Sequence, residues 1–188
     1  MSRRADQVDA TRQRITEAAM RLHTTVGPSQ ASIAAIAEEA GVTRLTVYRH
    51  FRDADEIFEA CTGHWWSLHP RPDAARWSKV RDRPKRTRQA LLELYAWYDE
   101  TGDDLTPIER DIDWIPARAR ASRDAAQAAV VDGIIGRPLP RGAAGRRLRA
   151  AVTVVASLDT WRALVADGGL SREQAVDLAV DWVLAAAP

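Results

Sequence analysis

Residues 32–51, SIAAIAEEAGVTRLTVYRHF, contain three positions that meet the demands of a helix-turn-helix. Two helices that cross steeply through a short turn need a small side chain at the crossing, a residue that tolerates a left-handed φ after the first helix, and an apolar anchor in the second helix. Ala37, Gly41 and Val47 supply these features in that order. The stretch therefore predicts a corner whose second helix fits the major groove of DNA.

The second helix of this corner has a predictable outward face. Ser32 and Thr43 suit the N-caps of the first and second helix, because their side-chain oxygens can accept backbone N–H groups. If Val47 and Phe51 point into the core, the turn of about 100° per residue brings other side chains to the opposite side. The predicted outward set is Arg44, Leu45, Thr46, Tyr48 and Arg49.

These side chains suit contacts with DNA. Arg44 and Arg49 can each donate two hydrogen bonds to guanine. Thr46 can donate or accept, and Leu45 can contact a thymine methyl group. The backbone amides near the two capping residues are expected to bond phosphate oxygens, which positions the protein without reading sequence. The alternative is that both arginines are merely solvated.

The helix before the corner completes a small domain, and another helix follows the corner. Apolar residues at three- and four-residue steps predict a helix from about Asp9 to Val26, ending at Gly27-Pro28. A further helix is expected to start near Asp53–Asp55, run to about Leu68 and stop at His69-Pro70. We assign residues 1–52 to this domain. Residues 1–8 are expected to form an arm whose Ser2-Arg3-Arg4 either reaches DNA or is a solubilising tail.

The rest of the chain also has helical periodicity and no competing strand pattern. A basic, proline-punctuated stretch at 70–88 predicts a linker or capping turn, followed by a helix over 90–98 and a break at Thr101-Gly102. Further helices are expected at about 117–135, 146–166 and 172–187. The predicted architecture is therefore all-α, with about nine helices and a second helical domain at 53–188.

Composition excludes several other classes of protein. The 188 residues are 46% hydrophobic and 28% charged with a net charge of +1, as expected for a globular protein. The single Cys61 excludes an intrachain disulfide and a multi-cysteine zinc site. The charged N-terminus and the absence of an apolar run of about 20 residues predict a cytoplasmic protein without a membrane span. No catalytic set is legible, because His64 and His69 diverge on a helix, so we expect neither an enzyme nor a cofactor or metal.

The segment Tyr48-Arg49-His50-Phe51, followed by a helix that opens with acids, resembles the DNA-binding motif of the TetR family of transcriptional regulators over about residues 11–60. The resemblance implies a homodimeric, ligand-responsive repressor whose Tyr48 and His50 bond phosphate. Family members often carry a phosphate-binding Lys after the Phe. Ala54 takes that place here, and Arg52 is the nearest substitute.

The chain has seven Trp residues, and six of them lie where a TetR-like fold would enclose a ligand. Large aromatic side chains line apolar pockets well, but they also fill the cores of helical bundles. We expect a small hydrophobic or aromatic effector to contact a subset of them together with nearby polar groups. The predicted aromatic contacts are Trp66, Trp97, Trp114 and Trp161, and the predicted polar contacts are Tyr95, Tyr98, His69 and Arg110.

The two C-terminal helices have apolar stripes too wide for one contact. In the last helix, Val176 and Val180 mark one face while Leu178 and Trp182 mark its neighbour. This predicts packing on the core and on a second subunit, with a broad core helix of a monomer as the alternative. A two-fold dimer would place its DNA-reading helices about 34 Å apart and read a palindromic operator. A TetR-like regulator that is constitutive or controlled by a protein partner, without a ligand pocket, remains the alternative function.

Overall fold

The computed structural model describes residues 3–138 and 140–187, with side chains from Asp6 onward, and every regular element among these residues is a helix. The predicted all-α class is therefore confirmed. The ten α-helices are α1 (Arg3–Thr25), α2 (Ile33–Glu39), α3 (Arg44–His50), α4 (Ala54–Leu68), α5 (Ala74–Trp77), α6 (Arg83–Arg110), α7 (Ala117–Ile135), α8 (Gly142–Val155), α9 (Leu158–Trp161) and α10 (Arg172–Ala186). A 3₁₀ turn, Ile112–Trp114, precedes α7, and a π turn, Arg162–Ala166, continues α9.

The chain divides into two compact units. The first contains the chain up to Pro70 together with residues 103–121, and the second contains residues 71–102 and the chain from Ser122 onward. The first unit extends beyond residue 52, because α4 packs against α1 and the segment after α6 bonds to the turn after α1. The division into a DNA-binding domain at 1–52 and an effector-binding and dimerisation domain at 53–188 stays a prediction.

The core of the first unit is built from all four N-terminal helices. α1 contributes Ile15, Ala18 and Ala19, which are fully buried. Residues from α2, α3 and α4 complete the cluster, including Ile36 and Ile57. The apolar periodicity of α1 therefore predicted its buried face, although the helix begins before Asp9 and Val26 lies exposed after its end.

The predicted helix break at Thr101-Gly102 is wrong, because α6 is continuous from Arg83 to Arg110. Thr101 is buried and its hydroxyl donates to the Trp97 carbonyl at 2.6 Å, so the side chain follows the helix. Gly102 lies against the Trp161 ring, where a Cβ would come within 2.5 Å of a ring carbon. The glycine is therefore explained by close packing inside the second unit and not by a helix end.

Two further element boundaries differ from the predictions. The stretch 70–88, predicted as a linker, contains α5 and the start of α6, and its Trp77 is fully buried with Nε1 donating to Glu93 at 2.7 Å. The predicted helix over 146–166 is interrupted after Val155, because Ser157 begins a new helix by accepting the Thr160 N–H at 3.2 Å. The bounds of α7 and the N-cap Ser171 of α10 are confirmed.

No helix of the described ranges is both long and apolar enough to cross a membrane.

Candidate nucleic-acid interface

The turn between α2 and α3 has the backbone geometry that its glycine predicts. Gly41 has a φ of +64°, in the left-handed region that favours glycine. The Gly41 N–H donates to the Glu38 carbonyl at 3.0 Å and the Val42 N–H donates to the Ala37 carbonyl at 2.9 Å, which is the paired bonding of a Schellman motif. Ala37 is buried where α2 meets its neighbours. The predicted roles of Ala37 and Gly41 are confirmed.

Both helices of the corner begin with the predicted caps. The Ser32 hydroxyl accepts the Ala35 N–H at 3.2 Å, and the Thr43 hydroxyl accepts the Thr46 N–H at 3.1 Å. These bonds satisfy amide groups that would otherwise be unpaired in the first turn of each helix. The two cap side chains thereby fix where α2 and α3 start.

α3, which we call the reader helix, has the predicted inward and outward faces. Val47 is fully buried, and Phe51 immediately after the helix is buried beside it. On the other side, the side chains of Leu45 and Tyr48 are 61% and 56% exposed. Arg44 and Arg49 are also exposed, whereas Thr46 and His50 are half-buried. The outward face therefore has two arginines, one tyrosine and one leucine available to a partner.

A support for the reader helix that the sequence did not predict comes from α1. The Arg12 guanidinium donates to the His50 carbonyl at the end of α3 and to Glu56 Oε1 of α4, the latter at 3.1 Å. It also lies over the Phe51 ring, with Cζ 4.0 Å from the ring centroid. Arg12 thus joins the C-terminal end of the reader helix to α1 and α4. No short motif marks this contact, because His50 is 38 residues from Arg12.

Glu56 is the common acceptor in this support. Its Oε2 accepts the backbone N–H of Arg52 at 2.9 Å and the Arg52 Nε at 3.2 Å. These bonds and that from Arg12 lower the pKa of Glu56 to about 2, so the carboxylate is charged at neutral pH. Arg52, the predicted substitute for the missing Lys, is thus paired with Glu56, although its side chain is largely exposed.

A buried polar pair joins α1 and α4 in the same unit. His23 Nδ1 lies 3.2 Å from Cys61 Sγ, and the His23 ring packs on Phe58 with ring centroids 5.0 Å apart. Burial lowers the pKa of His23 to about 4 and raises the pKa of Cys61 to about 12. Both groups are therefore neutral near pH 7, and the pair contributes to packing without charge.

The predicted N-terminal arm is only partly described. Met1 and Ser2 lie outside the described residues, as do the side chains of Arg3 and Arg4. The backbone from Arg3 onward belongs to α1. The predicted arm over residues 1–8 is thus corrected to a helical segment from residue 3.

Four of the predicted ligand-binding residues form one aromatic cluster in the second unit: Tyr95, Trp97, Tyr98 and Trp161. Tyr98 is the centre, with ring centroids 6.4, 5.3 and 6.0 Å from those of Tyr95, Trp97 and Trp161. All four side chains are buried.

The polar side-chain atoms of Tyr95, Tyr98 and Trp161 in this aromatic cluster bond to the protein. The Tyr95 hydroxyl donates to the Val155 carbonyl at 2.9 Å, and the Tyr98 hydroxyl donates to the Ala156 carbonyl at 3.0 Å. Trp161 Nε1 donates to Asp99 at 2.8 Å. These bonds are those of a packed core, and their role in ligand binding stays a prediction.

The other four predicted ligand-binding residues belong to the first unit. Trp66 packs edge-on against Trp65, and His69 stacks on the same Trp65 ring at 4.7 Å. Trp114 in the 3₁₀ turn is 69% exposed. Arg110 bonds to Asp111 and to the Val26 carbonyl, and its contact with a ligand stays a prediction.

An open depression of about 340 Å³ lies between α1 and α4. None of the predicted ligand-binding residues lines it. The residues around it are Asp9, Arg12, Gln13, Thr16, Ala60 and His64, a mainly polar set.

Comparison with known proteins identifies the N-terminal region. The family model described as bacterial regulatory proteins, tetR family, matches residues 15–61. The HTH-type transcriptional regulator AcrR of Shigella flexneri is 42% identical over 59 residues, which are 31% of this chain and 27% of AcrR. The chain thus aligns with about a quarter of the length of the curated relatives it matches, at 27% and 26%.

Solved structures extend the likeness to nearly the whole chain. A TetR-like transcriptional regulator from Rhodococcus sp. RHA1 has a TM-score of 0.56 and 18% identity, covering 93% of each chain. NalD of Pseudomonas aeruginosa, described as the secondary repressor of the MexAB-OprM multidrug efflux pump, has a TM-score of 0.54 and 19% identity over 95% of this chain and 96% of NalD. At these identities the likeness concerns the fold. The helix-turn-helix region of the chain thus matches the TetR family of bacterial regulatory proteins, and the fold of the chain is similar to that of solved TetR-like regulators.

Proposed function

We propose that this chain is a non-enzymatic transcriptional repressor that acts in the cytoplasm by binding an operator in double-stranded DNA. The observation that carries the proposal is the exposed outward face of the reader helix on a fully buried anchor, Val47. The 42% identity of the N-terminal region to an HTH-type transcriptional regulator supports it. Repression itself is what the family resemblance favours.

In this proposal the outward residues have separate roles. Arg44 and Arg49 contact base edges, where a good bidentate pair discriminates by about 1–3 kcal/mol. Tyr48 and His50 bond phosphate oxygens and hold the reader helix in the groove. Leu45 contacts a thymine methyl group, which suits its exposed apolar side chain.

A homodimer is the second part of the proposal. α8 and α10 pack together through buried residues that include Leu148 and Val183. Outside this contact, Val154 on α8 and Trp182 on α10 remain 55% and 43% exposed. Exposed apolar groups of this size support burial against a second copy, and a two-fold axis would pair two reader helices on a palindromic site.

A small hydrophobic or aromatic effector that releases the DNA is the third part. The aromatic cluster of the second unit supports a site of this chemistry.

A second candidate is a regulator that is constitutive or controlled by a protein partner. The bonds of Tyr95, Tyr98 and Trp161 to other groups of the protein favour it, because these polar atoms already have partners. A hydrophobic ligand panel that quenches tryptophan emission and weakens DNA binding would support the effector, and a panel without either effect would support the second candidate.

The central test is selection of DNA from a random pool by the purified protein, followed by binding measurements at fixed salt. We expect a palindromic sequence to be selected. Arg44→Ala and Arg49→Ala should each lose about ten-fold or more of their preference for that sequence, as expected when a bidentate base contact is lost. Arg76→Ala, which removes an exposed arginine on α5, outside the reader helix and the proposed dimer helices, is the charge-matched control and should keep the preference. The proposal fails if no sequence is selected, or if neither reader-helix variant loses discrimination.

A further inference from the structure

Two consecutive side chains at the C-terminal end of α6, from its last residue Arg110 and from Asp111 after it, bond to the turn that joins α1 to α2. Asp111 Oδ2 accepts the backbone N–H of Ser29 at 3.0 Å and the Ser29 hydroxyl at 2.6 Å. Arg110 Nη2 donates to the Val26 carbonyl at 2.6 Å. Arg110 also pairs with Asp111 through Nε at 2.8 Å and Nη2 at 3.1 Å. We call this group of four residues the Asp111 latch, and all of it lies in the first unit.

The latch is buried at Asp111 and packs tightly against the backbone of the turn. The Asp111 side chain is buried, and hydrogen bonds to a carboxylate are stronger than those between neutral groups. The bonds from Arg110 and Ser29 hold the pKa of Asp111 well below its usual range, so the carboxylate is charged at neutral pH. Gly27 has a φ of +96°, and a Cβ there would overlap the side chains of Arg110 and Asp111. The absence of a side chain at position 27 thus leaves room for the latch, and the positive φ favours glycine in the turn.

The position of the latch gives it a consequence for the reader helix. The turn at 27–31 leads directly into the cap Ser32 and then into α2, which packs against both α1 and α3. The backbone N–H groups of Gly27, Gln30, Ala31 and Ser32 make local bonds in this turn, to the carbonyls of Leu22, Gly27, Pro28 and Gln30 respectively. The N–H and the hydroxyl of Ser29, by contrast, both bond to a carboxylate 82 residues away, which joins the turn to the segment after α6.

We propose that Asp111 is a positioning residue for DNA binding: with Arg110 it fixes the α1–α2 turn, and through that turn the orientation of α2 and the reader helix. This inference rests on the proposed function. Asp111 acts through Ser29 and α2 and makes no DNA contact itself. Loss of the latch lowers the fraction of the protein whose corner is competent to bind, and the measured affinity falls by the same fraction.

The test compares Asp111→Asn with Asp113→Asn in the full chain. Both variants remove one negative charge from the same segment, but Asp113 is almost fully exposed and lies 3.8 Å from Arg120. Asp111→Asn is expected to weaken binding to the selected operator about ten-fold, since one hydrogen-bonded charge is lost. Asp113→Asn should stay within about two-fold of the wild type, as expected of a surface pair. Far-UV circular dichroism verifies that both variants are folded at the assay temperature.

Three further readouts separate positioning from other roles. The salt dependence of operator binding should keep its slope in Asp111→Asn, because no phosphate contact is lost. The Ser29 amide should exchange its hydrogen faster in Asp111→Asn than in Asp113→Asn, because its acceptor is weakened. Ser29→Ala should weaken binding about three-fold, and combining it with Asp111→Asn should add little, because both changes break the same latch.

The possible results discriminate between the inference and the proposed function. Equal operator affinities of Asp111→Asn and Asp113→Asn overturn the inference, as does unchanged exchange of the Ser29 amide. If Asp111→Asn does not fold, Ser29→Ala decides, and unchanged affinity in that variant overturns the inference. If the wild-type protein selects no DNA sequence, the proposed function fails, while the exchange of the Ser29 amide still tests the latch.

Discussion

The reader helix and the aromatic cluster differ in the length of chain over which their geometry is set. The cap Thr43, the turn at Gly41 and the anchor Val47 all lie within the corner itself. In the aromatic cluster, the Tyr95 hydroxyl bonds a carbonyl 60 residues away and Trp161 bonds a carboxylate 62 residues away. The contacts of a side chain can therefore be predicted from the sequence where its partners are close in the sequence, as in the corner. They cannot be predicted in this way where the partners are distant, as in the aromatic cluster.

The largest expected effect tests the inward face of the reader helix. Phe51→Ala should lower the free energy of unfolding by about 3–5 kcal/mol, because it opens a cavity in the core of the first unit and removes the ring under Arg12. Tyr48→Ala, on the outward face, should change it by no more than about 0.5 kcal/mol. Chemical denaturation followed by circular dichroism measures both. Equal losses in the two variants would mean that the two faces are not distinct.

A smaller effect tests whether the aromatic cluster is packed core. Tyr95→Phe should cost about 1–2 kcal/mol of unfolding free energy, since it removes the hydroxyl that bonds the Val155 carbonyl. Tyr98→Phe should cost less, because Gln127 Nε2 also donates to the Ala156 carbonyl, at 3.0 Å. Thermal unfolding of both variants against the wild type gives the order. If neither substitution lowers stability, the two hydroxyl bonds do not stabilise the core, and the contrast with the reader helix weakens.

The smallest expected effect concerns the glycine of the corner, where the sign of the change in stability is the test. Gly41→Ala should destabilise the protein by about 1 kcal/mol, because an L side chain is strained at positive φ. Gly63→Ala, inside α4, should stabilise it by about 0.5–1 kcal/mol, because alanine is the better helix former. A Cβ would meet open space at both positions, so packing does not enter the comparison. Denaturation midpoints that move in the same direction would contradict the local account of the corner.

Much of the fold was predictable from the sequence, and the misses have a common cause. The caps Ser32, Thr43 and Ser171 and the bounds of α7 are properties of a few consecutive residues. Gly102 was predicted to end a helix, but it lies inside α6 against the ring of Trp161. In the sequence, a glycine that makes room for a distant ring cannot be distinguished from one that ends a helix.

The candidate interface divides in the same way. Its outward side chains follow from helical periodicity once Val47 and Phe51 are placed in the core. Its supports do not, since Arg12 and Glu56 are 44 residues apart and each is an ordinary helix residue in its own segment. No spacing rule connects such a pair, although Arg12 and Glu56 lie on the helices that precede and follow the helix-turn-helix.

The sequence by itself determined the helical class, the turn at Gly41 and the two faces of the reader helix, because backbone preference, capping and burial period are properties of neighbouring residues. Only the tertiary structure decided that α6 continues past Gly102, that Arg12 and Glu56 support the end of α3, and that Asp111 bonds Ser29. The physical reason is that these features depend on which distant segments meet when the chain packs, and a hydrogen bond or a ring contact exists only once they have met.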